Sequence, residues 1–235
     1  MDVQAAVRRD VEQGLRQKLA VGEHDNEVGP QFTELGMEGF MPGALGLEHG
    51  QAEAAALAES EGMGPRIRFL PGNAEALTFP DASFDAVFSV TVLEECDADR
   101  ALSEMRRVLR PGGRMGVIVR SIDLPQWWHL DLPDALRRKV DVPPQSVGGR
   151  GVADRSLYRR MIRAGFGDLR CFPSLVTLDA PDGPIWRYRE DHLLAQLSPE
   201  ETVLWRAARD KAAADGLLFM SHPMHCVVGT SEGAK

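Results

Sequence analysis

The chain has 235 residues, with 27 Lys and Arg against 35 Asp and Glu, a formal net charge of -8, and 43% hydrophobic and 26% charged residues. That mixture is the composition of a packed globular chain and excludes a disordered one, and the acidic balance argues against a nucleic-acid partner, which would need a concentrated basic field. Cys96, Cys171 and Cys226 lie far apart and form no CxxC, so a reducing, cytoplasmic setting is expected rather than a disulfide framework.

In chain order, Val3, Val7, Val11, Leu15 and Leu19 recur every fourth residue and place one apolar stripe on an N-terminal helix over residues 1–20. This stripe offers a surface for the rest of the domain or for a homodimer. Its other face mixes acids and bases, which does not suit a membrane, and no run in the chain is long enough to span a bilayer. Residues 44–48, ALGLE, read as a short strand. QAEAAALAESE (51–61) reads as an alanine-rich helix stopped by Gly62, because glycine takes the left-handed C′ position without cost. RIRFL (66–70) alternates as a strand does, and FDAVFSVTVL (84–93) is nearly continuously apolar, as in a strand covered on both faces. Leu102, Met105 and Leu109 share a helical face that Pro111-Gly112-Gly113 ends ahead of the strand MGVIV.

The second half opens with loop-rich segments around Trp127-Trp128-His129. DRSLYRRMIRAGF follows as a helix with Asp154 as N-cap and Gly165 as stop. Ser198, Pro199 and Glu201 have the spacing of a capping box. GLLFMSHPMHCVVGT, two apolar runs around Ser-His-Pro, reads as an edge hairpin. Strand and helix alternate, and right-handed crossovers then wind a parallel layer. The expected fold is α/β, a Rossmann-like three-layer sandwich with a mostly parallel sheet and an antiparallel C-terminal hairpin strand, in a single domain spanning 1–235.

GNAEALTFPDASFDAVFSVTVLEECDADRALSEMRRVLRPGGRMGVIV, flanked by ALGLEHG upstream and HCVVGT downstream, resembles the class I S-adenosylmethionine-dependent methyltransferases. The resemblance extends from Ala44 to Thr230. It implies that Glu48, ending the second strand, accepts from both ribose hydroxyls of S-adenosyl-L-methionine, as a carboxylate can. Asn73 replaces the family's usual acid after the third strand and would accept from the adenine amino group, with the Ala74 amide donating to the ring and Glu75 completing the turn. The competing reading of Asn73 is a turn asparagine at positive φ. Thr91 would line the pocket at the methionine end, and Glu94 and Glu95 either face the acceptor or are solvated acids.

The family's glycine loop has its counterpart in Glu34-Leu35-Gly36, with Gly36 at the amino-acid end of the cofactor. Only 12 positions separate Gly36 from Glu48, whereas a nucleotide fingerprint spaces its acid roughly 20 residues on, so either the first crossover is shortened, or a segment has been lost, or the first strand lies elsewhere. The resemblance also implies an acceptor lid over residues 124–152, with His129 as candidate proton acceptor and Trp127 and Trp128 as a candidate acceptor surface, against two core tryptophans and a surface histidine. His222 and His225 form H-x-x-H across a proline with no third ligand near in sequence, so no metal is expected. The resulting expectation is methyl transfer from S-adenosylmethionine to a small-molecule acceptor. The alternative is a catalytically inactive methyltransferase-like domain that binds a ligand or protein.

Overall fold

The structure, a computed structural model, describes residues 55–64, 67–70, 72–179, 181 and 183–232. The N-terminal helix, the strand at 44–48 and the glycine-loop region lie outside the described residues, as do Glu34, Gly36 and Glu48. The chain divides into two compact units, Met1–Thr78 and Phe79–Lys235.

In the first unit, residues 55–60 form helix α1. It stops as the sequence implies: Gly62 sits at φ 68°, its N–H donates to the Glu59 carbonyl at 3.0 Å, and the Met63 N–H to the Ala58 carbonyl at 2.7 Å. Those two bonds make a Schellman ending, which satisfies carbonyls the helix leaves open. Residues 67–70 take no strand pairing, a correction to the strand expected over 66–70. Alternation selects faces but supplies no partner for the ladder.

The second unit runs β1 (Phe84–Val90), α2 (Ala98–Val108), β2 (Leu109–Arg120), β3 (Trp127–Trp128), α3 (Asp134–Val140), α4 (Leu157–Arg163), β4 (Phe166–Leu178), α5 (Pro184–Leu194), α6 (Pro199–Ala214) and β5 (Met220–Ser231). β1 and β2 are parallel. β5 lies antiparallel to β2, β3 and β4, in the order β1-β2-β5-β3 with β4 also on β5. In place of the hairpin expected within 216–230 there is one uninterrupted strand, because Pro223 sits in the ladder without ending it; β4, two helices earlier in the chain, is its antiparallel neighbour.

β1 leaves Asp85, Ala86 and Phe88 exposed, where coverage on both faces was expected. Among the described strands it pairs only with β2. α2 starts at Asp97, whose Oδ1 accepts from the Arg100 N–H, and buries Leu102, Met105 and Val108, about 1.5–3 kcal/mol for each large side chain. It ends at Val108 rather than at Pro111-Gly112-Gly113. Those residues are absorbed in β2, where the register with β1 shifts between Phe84 and Ala86 and Gly112 takes φ 77°, a turn a side chain would resist. For α4 the cap position is Ser156 without a side-chain bond. Asp154 instead accepts from the Ser156 N–H at 2.8 Å in the turn before the helix. Gly165, φ 86°, ends it. The capping box of Ser198 and Glu201 is formed as its spacing implies.

A core gathers under β3 and the late helices. Trp128 meets Trp186 and Trp205 edge to face, centroids 5.1 and 5.6 Å apart, with Leu130, Leu132, Leu136, Val140, Leu193 and Met220 around them. Within segment 124–152, the expected lid, Trp128, Leu130, Leu132, Leu136 and Val140 are buried in this core, while Leu124, Trp127 and Val142 are exposed.

Candidate functional site

In the first unit the Asn73 turn is formed by an isolated bridge to Ala76. Asn73 Oδ1 accepts from the Glu75 N–H at 2.8 Å, the local bond by which asparagine mimics a turn. Asn73 is not among the residues at positive φ, so the left-handed reading is set aside. Ala74 is buried at 1% exposure, and no described residue accepts from its N–H. The Asn73 amide oxygen keeps a second lone pair, the kind of acceptor the amino group of a purine needs.

In the second unit the sequence turns sharply where β1 ends. Thr91 takes φ 51° while its N–H donates to the Ile118 carbonyl at 2.9 Å. A β-branched residue in this region is a strained one, and such strain collects at ligand sites. Three residues on, Glu94 is fully buried. Its Oε1 accepts from the Arg120 N–H at 2.6 Å, while Oε2 has no partner. Burial outweighs the hydrogen bonds from the backbone and the nearby guanidinium, and raises its carboxyl to about 7. The reading of Glu94 as a solvated acid is corrected. The loop at 146–152 closes over it: the Gly148 N–H donates to the Glu94 carbonyl at 2.8 Å, and a Cβ on Gly151 would collide with that carbonyl. Arg120 also bonds Glu95 at 3.0 Å and the Ser146 carbonyl at 2.9 Å.

Beyond β2, Asp123 Oδ1 sits 2.6 Å from His225 Nε2 and accepts from the Ser121 hydroxyl at 2.8 Å. Burial alone would push the Asp123 carboxyl up; the bonds from His225, Ser121 and the Arg155 N–H overcome it and hold the group at about 2. Ser121 and Asp123 both address the same imidazole nitrogen, so this is not a nucleophile-base-acid relay, which needs one partner on each nitrogen. His222 and His225 do not converge: three positions apart on one strand, they face opposite sides.

His129 is exposed, stacks on Phe219 at 3.6 Å and places Nε2 3.5 Å from the Ser221 hydroxyl; partial burial lowers its pKa and keeps it neutral. Trp127 is exposed and Trp128 buried, so the pair divides into one surface ring and one core ring. A surface cleft beside α2, lined by Asp97, Asp99, Arg100, Arg150 and Arg160, holds ion pairs of Asp97 with Arg150 and of Asp99 with Arg160, so much of its charge is already matched. Among the described residues no cluster of His, Cys, Asp and Glu could hold a metal ion, and no helix is long and apolar enough to cross a membrane.

Reasoning from sequence missed Arg189. It lies on α5, is 4% exposed, and bonds the Gln126 side-chain oxygen at 2.6 Å. The one signal was an arginine three residues after Trp186 on a face that also carries Leu193.

Residues 45–117 match a family described as a methyltransferase domain. Along most of its length the chain is similar to a malonyl-[acyl-carrier protein] O-methyltransferase of Methylococcus capsulatus, 31% identical over 221 residues, 82% of this chain and 75% of that enzyme. A ubiquinone/menaquinone biosynthesis C-methyltransferase UbiE of Hahella chejuensis is 55% identical over only 58 residues, 24% of this chain and 23% of that protein. The solved structure of the YcgJ protein from Bacillus subtilis superimposes with a TM-score of 0.50 at 19% identity, covering 80% of each chain, and shares the α/β Rossmann-like fold. The chain belongs to the class I S-adenosylmethionine-dependent methyltransferases. S-adenosylmethionine is the cofactor of that family, and the free lone pair of the Asn73 amide oxygen is an acceptor of the kind its adenine amino group needs.

Proposed function

We propose that this chain transfers the methyl group of S-adenosylmethionine to a small-molecule acceptor. The observation that carries the reading is Thr91, a β-branched residue held at φ 51° where β1 ends, the edge at which open α/β sheets bind ligands. When bound, S-adenosylmethionine supplies a methyl already activated on a sulfonium. The chain's share is therefore positioning and exclusion of water. Asn73 and Ala74 hold the purine, with Glu75 fixing the turn, Glu48 takes the ribose, Glu34 and Gly36 the amino-acid end, and Thr91 forms the pocket floor. His129, neutral at pH 7, takes the proton released by the acceptor's nucleophile.

Calorimetric titration with S-adenosylmethionine and with S-adenosylhomocysteine tests this directly. Saturable binding near micromolar, about -8 kcal/mol, is expected. No heat and no thermal stabilisation at millimolar ligand would reject it. His129→Gln should leave cofactor affinity intact and lower kcat on order of a hundredfold.

The twelve-position spacing from Gly36 to Glu48 favours a second reading, an inactive domain that keeps the fold as a binding module. Unchanged cofactor affinity in Glu48→Ala would remove the ribose assignment and strengthen that second reading.

A further inference from the structure

Arg189 is an anomaly among the buried charges. At 4% exposure, it has one hydrogen bond, to the neutral amide of Gln126, and no carboxylate within 4 Å among the described residues. Gln126 cannot move to suit it, since its own NH₂ donates to the Val140 and Val142 carbonyls at 2.9 and 3.3 Å. A buried guanidinium without an anion is costly.

The register gathers further unsatisfied groups on the same side. Met220, His222 and Met224 share one face of β5. Opposite them stand Trp128 across from Met220 and Arg120 across from Met224, and Trp186, one helical turn before Arg189, packs on Trp128. Of these, His222 Nδ1 and Trp128 Nε1 are buried without any partner among the described residues. His222 is held neutral, first by burial and then by the field of Arg189 and Arg120, at about 3. Arg120 is matched by Glu95 and Glu94. One positive charge is thus left over, ringed by neutral groups with open valences.

We propose that Arg189, with His222 and Trp128 beside it, is an anchor for a carboxylate carried by the methyl acceptor. A planar carboxylate meets a guanidinium with two parallel hydrogen bonds and brings one negative charge to balance one positive. A phosphate monoester would bring about -1.5 to -2 and leave charge unmatched. The proposal rests on the methyltransferase reading, and it narrows the acceptor to acids or acid conjugates. The cofactor also carries a carboxylate, so the test must separate the two sources.

The probes are benzoate, benzamide and inorganic phosphate, titrated by thermal shift and calorimetry into the full chain, with and without saturating S-adenosylhomocysteine. Benzoate should bind saturably, at least tenfold tighter than benzamide and tighter than phosphate, with its affinity unchanged when S-adenosylhomocysteine is present. Arg189→Met should weaken benzoate at least tenfold while binding S-adenosylhomocysteine as the parent does. Benzoate no better than benzamide overturns the proposal on the parent protein alone, however the variant folds. Phosphate binding as tightly as benzoate overturns the carboxylate assignment. Loss of benzoate binding on adding S-adenosylhomocysteine assigns the anchor to the cofactor and overturns the acceptor reading. A parent that binds benzoate but shows no heat with S-adenosylhomocysteine fails the methyltransferase reading instead, a separate result.

Discussion

Arg120 and Arg189 are both largely buried arginines within each other's electric field, and they have opposite surroundings. Arg120 is tied to Glu95, to Glu94 and to the Ser146 carbonyl, so its charge is answered within the chain and it joins β2 to two loops. Arg189 has one neutral partner, and burial followed by repulsion from Arg120 lowers it to about 10. A paired buried charge organises the chain around it. An unpaired one costs stability and reserves a place for something else.

The largest break in this comparison should come from Arg120→Met. It strands Glu94 and frees the loop at 146–152, and about 3 kcal/mol of stability should be lost in urea denaturation at pH 8, less at pH 5, where Glu94 takes up a proton. Glu94→Gln should sharpen the same point through pH. The Glu94 carboxyl lies at about 7 in the folded chain against a usual 4.5, so the folded state holds the extra proton between those values. Stability therefore falls as pH rises from 4.5 to 7, by about 3 kcal/mol at most, one pKa unit being worth about 1.4 kcal/mol. The Gln variant should lack that slope, and a parallel curve for both proteins would show that Glu94 does not carry it.

Arg189→Met should behave in the opposite sense to Arg120→Met. Replacing an unanswered buried charge by an apolar side chain of similar length should hold or raise the melting temperature, by about 1–2 kcal/mol of stability, and a loss of 3 kcal/mol would make Arg189 a structural strut like Arg120. The smallest effect is expected at Thr91. Thr91→Gly should gain roughly 1 kcal/mol by releasing the left-handed strain, less the entropy glycine costs the folded state, while S-adenosylhomocysteine affinity falls if Thr91 forms the pocket floor.

Local signals in the sequence were legible wherever the cause was local. Gly62 stops α1, Ser198 and Glu201 close the capping box, and Leu102 and Met105 mark the buried face of α2, because each depends on neighbours within one helical turn. RIRFL and the final apolar runs were misread because strand pairing is decided by a distant partner: residues 67–70 find none, and β5 finds three, of which β2 and β4 carry it straight through Pro223. The candidate residues divide the same way. The turn at Asn73 follows from its own neighbours, whereas the burial of Glu94 is imposed by glycines more than 50 positions later. Arg189 was invisible because an arginine in an amphipathic helix reads as solvated unless the packing of Trp128 against Trp186 is known.

Among the described strands β5 leaves the ribosome after the others, yet it is the one that joins β2 to β4. Until residues 220–231 emerge, both neighbours present open backbone edges, the kind of surface on which nascent chains associate wrongly. Biogenesis of this fold therefore turns on a late insertion. A stalled or clipped chain lacking β5 should be a client for chaperones and proteases rather than a slightly weakened enzyme.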